Sequence, residues 1–221
     1  NYGNISEFYI DEINNTVVVK LSNYSKEEIN KFKNQIVNSP IITFSQGEKI
    51  SSYLLPGYAV SLDGLCSMGY RAKYAFGSSV GFVTAGHCAT SGQSYSNIGT
   101  VSSWKNSGNM DAAFLVTNSN VSLSNSLYGV TTEFGNTATL STNILDATAG
   151  ARISKLGALS GYTTGYITST NWNGNIAGVA HTGLVNTSVY AQEGDSGGIV
   201  FGSSNYYTAG IVNGGPIGGG N

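Results

Sequence analysis

Two short motifs in this 221-residue chain bring together groups suited to nucleophilic chemistry. Gly194-Asp195-Ser196-Gly197-Gly198 sets a serine between glycines, where its hydroxyl is open to approach and nearby amides can face a substrate carbonyl. Thr84-Ala85-Gly86-His87-Cys88 supplies an imidazole beside a cysteine. Between them, Asn109-Met110-Asp111 opens the apolar run Ala112-Ala113-Phe114-Leu115-Val116. A serine hydroxyl is a poor nucleophile alone; an imidazole that takes its proton, itself oriented by a carboxylate, activates it. The order along the chain is His87, Asp111, Ser196, and the two motifs take their meaning from each other.

The elements that must position these residues are short strands. About half of the charged side chains lie in the first 50 residues, yet only Gly3 and Gly47 of the 30 glycines do. After Gly57 the chain turns to Gly, Ser, Thr, Asn and Tyr with brief apolar alternations, the usage of strands joined by tight turns. A domain boundary is therefore expected between Gly47 and Gly57. The pattern predicts strands over 58–62, 67–74, 79–84, 99–104, 111–116, 152–156, 161–168, 176–182, 198–201 and 206–212, with no convincing helix after Ser51. Their number and spacing suggest closed or sandwiched antiparallel sheets.

The first 50 residues read differently. Strands are expected over 7–11 and 16–22 around an Asn14-Asn15 turn, since three successive β-branched residues, Val17, Val18 and Val19, disfavour a helix. Ser25-Lys26-Glu27-Glu28 has the form of a capping box. The helix it opens puts Ile29, Phe32 and Ile36 on one face and ends before Pro40, and 41–44 returns as a strand.

Net charge is −2, which offers no electrostatic footprint for nucleic acid or anionic lipid. No apolar run approaches the ~18 residues of a membrane span. The chain starts without an initiator Met or signal peptide, so Asn1 reads as a processing or imposed boundary. Cys66 and Cys88 can close a loop worth about 3 kcal/mol as a disulfide, which would pin the backbone presenting His87. The alternative is a pair of buried free thiols in a cytosolic protein.

These motifs resemble the chymotrypsin-like serine proteases, most closely the bacterial streptogrisin and α-lytic protease branch. The short interval from His87 to Asp111, the stretch Gly157-Ala158-Leu159-Ser160-Gly161-Tyr162-Thr163-Thr164-Gly165-Tyr166-Ile167-Thr168, and Asn15-Thr16-Val17-Val18-Val19 followed by a capped helix are similar to that branch. The resemblance implies an all-β protein of two six-stranded antiparallel barrels, about 54–140 and 148–221, forming a protease domain over 51–221. Residues 1–50 are then the C-terminal part of a pro-region. It implies that His87, Asp111 and Ser196 are the catalytic residues, with the amides of Gly194 and Ser196 as oxyanion hole. Asp195 needs a buried cation, an arginine in relatives; Lys155 stands at the matching position, with Arg152 as the alternative. His181 is expected to be a packed or surface residue without a functional role.

By the same resemblance, residues 188–193 and 213–215 wall the substrate side-chain pocket, with Ser188, Tyr190, Asn213, Gly214 and Gly215 as its binding residues. A neutral Ser188 at the base does not select Lys or Arg, and the glycines leave room for bulk. No histidine occupies 211–215, where a glutamate-specific relative would carry one. A large apolar or aromatic residue is the expected preference, with Glu193 near the rim as a lure for a basic one. Asn213 replaces a serine that supports the triad aspartate, Tyr190 replaces a pocket cysteine, and the chain stops at Asn221, short of the strand and helix expected to close the second barrel. The expectation is a secreted, monomeric serine endopeptidase without cofactor or metal. Its partners would be polypeptide substrates and its own pro-segment, which acts as folding aid and inhibitor. The competing readings are a catalytically silent binding or toxin module on the same fold and a latent zymogen held by its pro-segment.

Overall fold

The computed structural model describes residues 4–47, 52–75 and 77–214. The chain divides into two units, Asn1–Ser52 and Tyr53–Asn221. In the first, β1 (Ile5–Asp11) runs antiparallel to β2 (Thr16–Leu21), and α1 (Lys26–Gln35) leads to β3 (Ile42–Gln46), parallel to β2. The β1–β2 turn suits its asparagines: Asn15 takes φ +51°, and the Asp11 carboxylate accepts the amides of Ile13 and Asn14 at 3.1 Å each. Ser25 caps α1 by accepting the Glu28 amide at 3.2 Å, while the Glu28 carboxylate accepts from the Asn4 side chain at 3.0 Å. The helix stops one residue earlier than its apolar stripe. Ile36 is the C-cap and 53% exposed, leaving Phe32 and Ile29 to pack on Val19 and Leu21.

The second unit is built of strands. They run β4 (Ser52–Leu54), β5 (Ala59–Ser61), β6 (Leu65–Ser67), β7 (Tyr70–Lys73), β8 (Val80–Thr84), β9 (Ser94–Tyr95), β10 (Gly99–Ser107), β11 (Met110–Thr117) and β12 (Val121–Leu123). There follow β13 (Ser126–Thr131), β14 (Thr137–Thr139), β15 (Ser141–Ile144), β16 (Arg152–Gly157), β17 (Gly161–Ile176), β18 (Val179–Thr187), β19 (Ile199–Gly202) and β20 (Tyr207–Ile211). A five-stranded sheet has the order β7-β8-β11-β10-β9, and a six-stranded sheet the order β15-β20-β19-β16-β17-β18. The described residues thus give one five-stranded and one six-stranded sheet with short ladders beside them, where the resemblance implies two six-stranded barrels.

Alternation decides what each strand buries. In β11, Asp111, Ala113 and Leu115 are buried, and Ala113 and Leu115 join Met68, Phe82 and Val101 in one core. In β16 everything after Arg152 is buried, because β17 and β19 flank it on both sides. Leu156 joins Ile199, Phe201 and Leu127 in a second core. Two predicted strands are interrupted: 67–74 breaks at Met68-Gly69 between β6 and β7, and 176–182 contains a turn. Ala177 and Gly178 take φ +50° and +82°, the signature of a two-residue hairpin loop, and β17 extends unbroken to Ile176 before it.

Candidate active site

His87 sits in a single 3₁₀ turn, Gly86–Cys88, that follows the buried end of β8. The turn is held from both sides. The Trp104 indole on β10 donates to the carbonyls of Gly86 at 2.8 Å and Ala89 at 2.6 Å. The Cys66–Cys88 disulfide ties its far end to β6. Asp111, 2% exposed at the start of β11, accepts the His87 amide on Oδ1 at 2.8 Å and faces the imidazole Nδ1 with Oδ2 at 2.6 Å. An ionised carboxylate only accepts, so Nδ1 carries a proton, and in the neutral imidazole Nε2 keeps its lone pair. That is the tautomer a general base needs.

The serine turn packs directly against this arrangement. The Ser196 carbonyl accepts the Ser67 amide at 2.7 Å and lies 3.8 Å from the Cys88 sulfur. Gly197, at φ +84°, admits no side chain, since a Cβ would collide with the Thr84 hydroxyl and the Ser67 carbonyl. Within the turn, the amides of Gln192, Asp195, Gly197 and Gly198 are all engaged. Those of Gly194 and Ser196 have no acceptor among the described residues, so both remain available to a developing oxyanion.

Asp195 points the other way, into the second sheet. Lys155, not Arg152, meets it: the Lys155 ammonium lies 3.1 Å from Asp195 Oδ2 with both side chains fully buried, while Arg152 is exposed. Ser160, which sequence reasoning missed, completes the pair. Its hydroxyl donates to Asp195 Oδ2 and accepts from Lys155, whose remaining proton goes to the Gly161 carbonyl at 3.0 Å. Asp195 Oδ1 accepts the amides of Leu159 and Ser160 at 2.9 and 3.0 Å. Burial alone would raise the Asp195 carboxyl, but the Ser160 hydroxyl and the amides of Ser160, Gln192 and Leu159 outweigh it and hold the group below its ordinary value. Burial pulls Lys155 below the ordinary lysine value against the opposing pull of Asp195. The sequence held no signal for the Ser160 hydroxyl, which shares Oδ2 with Lys155 while backbone amides serve Oδ1.

The residues expected to form a pocket are only partly gathered. The Ser188 hydroxyl accepts the Tyr166 amide at 3.0 Å, which occupies it within β17. The Tyr190 carbonyl accepts from Thr163 at 2.8 Å, and its ring is half exposed. Gly214 rests against Ile176. Gly215 lies outside the described residues. Asn213 gives Asp111 no hydrogen bond among the described residues, and its Oδ1 is buried without a partner. The amide substituting for a serine thus does not support the aspartate. His181 is 1% exposed, with Nδ1 3.2 Å from the Gly108 carbonyl at the hairpin tip just before Asp111.

Comparison with known proteins gives two results. Residues 2–47 match the family model described as Pro-like C-terminal domain. Among solved structures, a Nocardiopsis protease is 34% identical, with TM-score 0.63, covering 75% of this chain and 86% of that one. Thermobifida fusca protease A is 29% identical, with TM-score 0.64, covering 75% and 85%. A serine protease described as glutamic acid specific, with a histidine triad in substrate binding, is 26% identical, with TM-score 0.62, covering 76% and 88%.

Proposed function

Since this chain belongs to the bacterial chymotrypsin-like serine proteases, we propose that it is a secreted endopeptidase working through an acyl-enzyme, with His87, Asp111 and Ser196 as its triad. The observation that carries this reading is the His87 imidazole, held at Nδ1 by a buried Asp111, on a 3₁₀ turn whose neighbouring Cys88 sulfur lies 3.8 Å from the Ser196 carbonyl. Ser196 Oγ attacks the scissile carbonyl while His87 Nε2 takes its proton. The oxyanion forms against the amides of Gly194 and Ser196. His87 then hands the proton to the leaving amine, and water repeats the sequence to release the acid and restore the serine. Export fits the disulfide, which persists in oxidising surroundings.

A fluorophosphonate probe tests the nucleophile: it should label the protein at Ser196, and absence of label on folded protein would refute the reading. For specificity we expect cleavage after Phe, Tyr, Leu or Met. Ser188 is uncharged and engaged with the backbone, and no histidine occurs in 211–215, where a glutamate-specific relative would be expected to carry one. Profiling on a peptide library checks this, and a dominant preference for Lys, Arg or Glu would overturn it.

The first unit is assigned as a pro-segment that aids folding and inhibits the product. Two features support this: its match to a Pro-like domain, and an apolar face it does not cover itself. Phe8 and Ile10 pair with Val19 and Val17 on the face that receives α1, yet are 72% and 71% exposed. Sheets of long-range pairs fold slowly, and a segment that binds their native arrangement speeds the step. A chain starting near Leu54 should therefore refold poorly alone, recover when residues 1–50 are added in trans, and be inhibited by them. Unaided refolding without inhibition would remove this role.

A further inference from the structure

From the hydrogen bonds around Ser67 we infer that its hydroxyl is a positioning group for the oxyanion hole, an inference that rests on the protease reading above. Ser67 ends β6 and is fully buried. Its hydroxyl donates to the Gly194 carbonyl at 2.8 Å and accepts the Ala158 amide at 2.8 Å. A carbonyl can only accept and an amide can only donate, so the hydroxyl rotor has one setting. The backbone of the same residue donates to the Ser196 carbonyl at 2.7 Å and accepts the Thr84 hydroxyl at 2.9 Å. One residue thus ties together the strand end before His87, the serine turn and the loop at Ala158.

The need for such a clamp follows from Gly194. It takes φ +93°, a conformation open to glycine, and glycine is also the residue most free to leave it. Rotation about its two backbone torsions swings the amide that is to meet the oxyanion. Its carbonyl lies in the following peptide plane, so Ser67, by holding it, removes the freedom about ψ and leaves the amide only rotation about φ. The clamp is indirectly anchored again, because Leu159 and Ser160, next to Ala158, cap Asp195. Ser67 touches neither the substrate nor the reacting atoms.

In the full chain, Ser67→Ala should lower kcat about 10- to 100-fold, the scale of a misplaced oxyanion donor, with KM changed less than about threefold. Affinity for a peptide boronic acid, whose adduct carries the tetrahedral anion, should fall with kcat, while affinity for the cleaved product peptide stays unchanged. The nearly isosteric pair Ser67→Thr and Ser67→Val isolates the hydroxyl if the alanine variant does not fold: threonine should retain boronate affinity and valine lose it. Equal boronate affinity in Thr and Val variants, or a KM rise at constant kcat, would overturn the inference. Failure of every hydroxyl-free variant to fold would also overturn it, making the bond a requirement of folding instead. Fluorophosphonate labelling of the wild type separates the two levels: an unlabelled wild type refutes the protease reading itself, whereas a labelled wild type with an unaffected Ser67→Ala refutes only the role of Ser67.

Discussion

Replacing Ser196 by alanine is expected to lower peptide-bond hydrolysis by about six orders of magnitude, with the fold unchanged. The members of a triad act as a unit, so removing the nucleophile removes nearly all that they supply together. The residual rate over water reflects the oxyanion amides and substrate binding alone. Little structural cost is expected, because what packs Ser196 into place is backbone: its carbonyl on the Ser67 amide and the tight glycine that follows it. Circular dichroism and a thermal melt establish the fold, and single-turnover assays measure the rate. Hydrolysis by the alanine protein at the wild-type rate would eliminate the mechanism.

The second large effect is on stability. Lys155→Met should destabilise the protein by about 3–5 kcal/mol, because it leaves a fully buried carboxylate without its cation. The double change Lys155→Met with Asp195→Asn should recover much of that loss, since it removes the stranded charge along with its partner. Urea unfolding at neutral pH measures both; a single variant within 1 kcal/mol of wild type would show that the pair contributes little. The same site sets an acid limit. Asp195 is held below its unfolded value, so its contribution is present above the ordinary aspartate value of ~3.9 and is lost as pH falls through the lower folded value. Wild-type stability should therefore decline below about pH 4, and Asp195→Asn should lack that part of the decline.

Much of this was legible because local chemistry leaves few options. A serine between glycines, a histidine beside a cysteine and an aspartate at the head of an apolar strand each state a local geometry, and β11 buries Asp111 by simple alternation with Ala113 and Leu115. The Ser25 cap, the valine strand and the composition change near Gly57 are likewise properties of short windows. The failures mark where short windows end. The 176–182 strand was misplaced because apolar spacing there is compatible with a turn, and cross-strand pairing of β17 with β18 settles the outcome at Ala177 and Gly178.

What only the tertiary structure decided are contacts between residues far apart in the chain. Ser67 and Gly194 are 127 positions apart, so no periodicity or propensity relates them; they meet because two sheets bring a strand end and a turn together. Ser160 enters the Lys155–Asp195 pair for a similar reason, through a tight loop whose path β16 and β17 define. Asn213 shows the converse, a residue whose type could support Asp111 but whose placement does not. The sequence determined which chemical groups this protein has to work with. Which of them share a hydrogen bond was decided by packing, since a bond of 2.8 Å depends on the position of two whole sheets and not on either residue alone.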